Sequence, residues 1–71
     1  MKYQVFITKS AKVAALLAQA NRDGKNISRV SYGKCENYDT VPKMYYGRHH
    51  FACVIEYTVE ARVPDYELII A

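Results

Sequence analysis

The sequence predicts a small α+β domain of order β-α-β-β-β: an antiparallel sheet with one helix packed on one face. Three observations carry this. Apolar residues alternate in two long stretches near either end, a single stretch between them has helical spacing, and the rest is punctuated by turn formers.

Lys2 to Thr8 alternates cleanly, with Tyr3, Val5 and Ile7 on one face and Lys2, Gln4, Phe6 and Thr8 on the other. This is a strand, and Phe6 implies that its second face is partly covered. Ser10 can then cap a helix whose Val13, Leu16, Leu17 and Ala20 fall at i, i+3, i+4 and i+7, with Gly24 just beyond as a terminator. Lys12, Gln19 and Arg22 lie opposite, so the helix should rest on the sheet with its basic side outward.

In Ile27 to Cys35, Val30 and Tyr32 alternate with Arg29 and Ser31, giving a second strand in which Gly33 marks a bulge or bend. Glu36 to Arg48 has no sustained period and contains Pro42 and Gly47, so it reads as the longest irregular segment. From His49 onward, Phe51, Cys53, Ile55, Tyr57 and Val59 share one face against Ala52, Val54, Glu56, Thr58 and Glu60, as in a long central strand. Val63 to Ala71 is ambiguous. Pro64, Asp65 and Glu67 could open a helix, but the alternation of Tyr66, Leu68 and Ile70 favours a strand. One sheet face is then left uncovered, available to a second copy or a ligand.

With 71 residues the chain is a single domain, and folding at that size removes only about 60% of the unfolded surface from water. A hydrophobic content of 51% excludes a disordered profile. Strands with two apolar faces point to a homodimer that covers the remainder. No stretch is long enough to cross a membrane as a helix. Ala18-Gln19-Ala20 resembles a signal-cleavage site, but the apolar run before it is short and follows a strand. Cys35 and Cys53 stand singly, without the framework of a secreted scaffold, which favours reduced thiols and a cytoplasmic location.

Charge is polarised along the chain. From Lys2 to Lys34, seven basic residues (Lys2, Lys9, Lys12, Arg22, Lys25, Arg29 and Lys34) face only Asp23, a net of +6. From His49 to the end, Glu56, Glu60, Asp65 and Glu67 outweigh Arg62. A basic half-chain attracts phosphate.

The chemistry-bearing segment is Met44 to His50, MYYGRHH. Adjacent histidines suggest a metal or acid-base catalysis, yet at the start of a strand they would point to opposite faces. Neither cysteine has zinc-site spacing, so no metal and no cofactor is expected. Single-stranded RNA recognition asks for less: cations for phosphates and flat rings for bases. Lys12, Arg22, Lys25, Arg29 and Lys34 would supply the field, and Lys43, Tyr45, Tyr46, Arg48, His49 and His50 the closer contacts. The expectation is therefore a non-catalytic, dimeric binder of RNA or another single-stranded nucleic acid. A second reading uses the same loop as a hot spot against a protein target such as a nucleic-acid enzyme, in the manner of a phage anti-defence inhibitor. A nuclease ranks third, because the histidines diverge.

Overall fold

A computed structural model describes residues 1–71. Its elements are β1 (Lys2–Thr8), α1 (Ala11–Asn21), β2 (Ile27–Lys34), β3 (Phe51–Tyr57) and β4 (Tyr66–Ile70), with 3-10 turns at Cys35–Asn37 and Lys43–Tyr45. This is the expected α+β order, and the last segment is a strand.

The four strands lie in the order β2-β3-β1-β4. Strand β3 runs antiparallel to both β1 and β2, so β1 and β2 are themselves parallel and α1 connects them across β3. The expectation of a wholly antiparallel sheet needs correction at one edge, where β4 pairs parallel to β1. The cause is the connection: β3 to β4 spans Thr58 to Asp65 and carries the chain past β1 to its far side, which no hairpin can do.

Alternation along the strands divides the core. On the helix side, Cys53 and Ile55 join Ala18 in one cluster with Phe6, Leu17, Ile27, Val30 and Tyr57 packed around it. Opposite, Val5, Ile7, Ala52 and Val54 join Cys35 and Val41 in the other. The two cysteines thus lie on opposite faces, and both are free.

Helix α1 begins as expected, with Ser10 extended and its hydroxyl accepting the Val13 N–H at 3.3 Å. Its buried line differs: Ala14 and Ala18 face the sheet, whereas Val13 and Leu16 are 38% and 53% exposed. Small residues win that line because they let the helix lie close to β1, β2 and β3, and Leu17 then reaches the core from the flank. Gly24 does not terminate the helix with a left-handed turn. Its role is space, since a Cβ there would stand 2.5 Å from Ile27 Cδ1. Gly33 marks no bulge either; the register shift in β2 falls between Ile27 and Arg29.

The largest departure concerns the face expected to be open. Cys35 to Tyr46 folds back over it and covers it, so Cys35 and Val41 are as buried as the strands below. Backbone turns brace this cover, with Tyr38 N–H donating to the Cys35 carbonyl and Val41 N–H to that of Tyr38. Phenol groups tie it down: Tyr66 Oη donates to the Thr40 carbonyl at 2.6 Å and Tyr46 Oη to that of Tyr38 at 2.7 Å. Absence of a secondary-structure period concealed a segment that packs by tyrosines and tight turns.

Candidate nucleic-acid interface

The register defines one end of the sheet. Lys34, Phe51 and Thr8 stand side by side across β2, β3 and β1, and Ile70 beside Ile7 completes the row. Here β1, β2 and β4 end, β3 begins, and α1 starts after the two residues that follow β1. The Cys35 N–H donates to the His50 carbonyl at 3.3 Å, extending the β2–β3 pairing one step beyond the row and fixing the histidine pair there.

Residues before β3 do not alternate as strand residues would. Gly47 has φ +70° and His49 φ +57°, so the chain turns twice through left-handed conformations before entering the strand at Phe51. The argument that the histidines must diverge therefore fails, because neither belongs to β3. Both line one cleft of about 210 Å³ with Lys34, Glu36, Gly47 and Phe51. His49 is exposed, and His50 is partly buried with its Nδ1 sealed from solvent and without a hydrogen-bond partner. The His50 ring packs edge-on against Tyr45, with centroids 5.4 Å apart and planes at 69°.

His50 also forms part of a second cleft, about 310 Å³, beyond it toward β4. Ile7, Tyr45 and Ile70 supply its apolar wall, and Thr8, Lys9 and Ser10 its polar rim at the amino end of α1. One imidazole thus separates a charged cleft from a half-apolar one.

Of the residues expected to bind, Lys34, His49 and His50 meet at the charged cleft, and Arg48 stands exposed between two residues of its wall. Lys12 is exposed on the first turn of α1, at the same end of the sheet. Lys43 is exposed in the second 3-10 turn, next in chain to Met44 and Tyr45. Tyr45 and Tyr46 are half-buried against the core, so their first duty is to hold the cover in place. Arg22 and Lys25 lie at the opposite end, after α1 and before β2. Arg29 is on the covered face at the middle of β2, its exposed guanidinium 4.0 Å from the partly buried carboxylate of Glu56, a long contact of little energetic weight.

Two contributors stand outside the set of residues expected to bind. Lys9 follows a strand and looks like an ordinary surface lysine, but β1 ends at the same row as β2 and carries it to the site. Tyr32 is 49% exposed on the same face of the edge strand as Lys34, two residues away, and is the open ring that Tyr45 and Tyr46 are not. Alternation within β2 was the available signal for Tyr32; none existed for Lys9 without the register.

No protein-family model, curated protein or solved structure matches this chain. No helix is long and apolar enough to cross a membrane.

Proposed function

We propose that this protein binds RNA, or another single-stranded nucleic acid, at the end of the sheet where β1, β2 and β4 finish. The observation that carries the reading is the meeting of Lys34, His49 and His50 in the charged cleft, against Glu36 as the acid of its wall, and of Lys9 with His50 in the adjoining one, with Lys12 and Arg48 exposed at the same end of the sheet. A cationic patch beside an open ring suits a flexible strand: phosphates meet the lysines and Arg48, and a base stacks on Tyr32. Stacking contributes about 1 to 3 kcal/mol per base, and each neutralised phosphate adds a salt-dependent increment.

The test is fluorescence anisotropy with a short labelled RNA at several salt concentrations. Affinity falls steeply as salt rises, and both Lys34→Ala and Tyr32→Ala weaken it, the first also lowering the salt slope by about one unit. Absence of binding at low salt, with the protein folded, rejects the reading.

A homodimer remains part of the proposal, supported by Val13 and Leu16 exposed on α1 and by the unpaired outer edge of β4. Sedimentation equilibrium tests it, and a monomer at tens of micromolar rejects it. We place the protein in a reducing, cytoplasmic setting on the strength of two buried free thiols that face away from each other. The same surface used against a protein target is the competing reading, and a captured partner that survives ribonuclease treatment would favour it.

A further inference from the structure

We infer that the charged cleft does more than hold RNA: His49 and His50, with Lys34, are placed to cleave the strand by attack of a ribose 2′-hydroxyl on its neighbouring phosphate. The inference rests on the RNA-binding reading and deepens it. Its foundation is the turn at Gly47 and His49, which brings two imidazoles and an ammonium to the wall of one small cleft instead of sending them to opposite faces of a sheet.

The chemistry needs a group to take a proton, a group to give one, and a cation for the charge that grows on phosphorus between them. His49 is exposed and lines the charged cleft, where it can accept a proton. His50 is held from two sides, by the Cys35 N–H on its carbonyl and by the edge of Tyr45 on its ring. Because its Nδ1 is sealed, Nε2 is the nitrogen that can meet a ligand. Lys34, registered beside Phe51, supplies the positive charge, and Lys34 with Arg48 outnumbers the single wall carboxylate of Glu36.

The position of His50 between two clefts also sets the direction of the strand. A nucleotide entering the charged cleft presents its 2′-hydroxyl to His49 and places its linking phosphate at His50, and the next nucleotide is seated on Ile7, Tyr45 and Ile70 in the half-apolar cleft. A cleft of about 310 Å³ is at the small end of ligand sites, a size that suits one nucleotide of a flexible single strand.

In the step itself, the 2′-oxygen forms a bond to phosphorus while the bond from phosphorus to the 5′-oxygen of the next nucleotide breaks. The 2′-hydroxyl proton passes to His49, and the departing 5′-oxygen receives a proton from His50 Nε2. The products are a 2′,3′-cyclic phosphate and a free 5′-hydroxyl. No oxidant, reductant or co-reactant enters, and exchange with water resets both rings.

The experiment measures single-turnover cleavage of a short 5′-labelled RNA with protein saturating, so that changes in affinity do not enter the rate. Cleavage yields 2′,3′-cyclic ends, and His49→Ala and His50→Ala each slow it at least 100-fold, within the range for loss of a general acid or base. The same oligonucleotide with 2′-deoxyribose throughout stays intact even where it binds. Three results overturn the inference: RNA that is bound but uncut after prolonged incubation, cutting that persists in the double variant, or cutting of the deoxy strand. Bound and uncut RNA leaves the binding proposal standing, whereas no binding at low salt removes both.

Discussion

Tyr45 meets His50 edge-on, ring centroids 5.4 Å apart, and this contact couples the cover over one sheet face to the site at the sheet's end. Tyr45 belongs to the second 3-10 turn and packs against the core cluster that includes Val5, Ile7 and Ala52, while His50 forms part of both clefts. Tyr45→Ala should therefore cost both stability and affinity. Loss of a half-buried ring and its edge contact amounts to about 1.5 to 3 kcal/mol, measured as a shift in urea midpoint without change in slope. RNA affinity falls too, since the His50 ring loses its wall. Tyr45→Phe keeps the ring and should retain both properties.

The cover itself makes a second prediction. Val41 is 2% exposed and Val5 fully buried, although Val41 belongs to no helix or strand. If the segment from Cys35 to Tyr46 is core, Val41→Ala should destabilise by about 1 to 2.5 kcal/mol, comparable with Val5→Ala on the central strand. A surface loop would tolerate the change within about 0.5 kcal/mol. Paired denaturation curves distinguish the two outcomes, and a neutral Val41→Ala would mean that the cover opens readily.

Much of this arrangement was legible in the sequence. Ser10 capped the helix where expected, and the alternation of Tyr3, Val5 and Ile7 against Gln4 and Phe6 assigned β1's two faces correctly. What escaped were features without a local period. Val41, Tyr38 and Tyr46 cover the second face through tight turns and phenol hydrogen bonds, which no window of the sequence displays. The direction of β4 depended on which strand it joined, a choice settled by long-range pairing. At the site, a left-handed residue at His49 cancelled a strand rule that was sound in itself. Lys9 reached the site only through register.

The buried thiols predict alkaline instability. Burial pushes the Cys53 thiol up to about 11 and raises that of Cys35, where the neighbouring Glu36 adds to the effect. Tyr57 and Tyr66 are raised as well, by burial first. An unfolded thiol starts to ionise near its ordinary value of 9.0, whereas native Cys53 keeps its proton to about 11. Between those values the native state binds more protons than the unfolded state, so stability declines as pH rises, by at most about 1.4 kcal/mol per pH unit for each such thiol. Below the lower value the contribution is fully present. Denaturation midpoints from pH 8 to 11 check the slope, and Cys53→Ala flattens it while lowering stability overall. Thiol titration should also find both groups slow to react until denaturant is added, since the thiolate is the reactive form.

Gly47 offers the most direct test of how the site is made. Its φ of +70° is left-handed, and a Cβ there would meet nothing within 4 Å, so substitution strains the backbone without a clash. Alanine in that conformation costs about 1 kcal/mol, and asparagine less, because its short polar side chain tolerates the left-handed region. Gly47→Ala should thus lower the thermal midpoint by about 4 to 8 °C for a domain of this size, and Gly47→Asn by a smaller amount. The two variants should rank the same way in RNA affinity, because the turn at Gly47 carries Arg48, His49 and His50 into position. A Gly47→Ala protein that keeps both its midpoint and its affinity would show that this conformation is not what assembles the site.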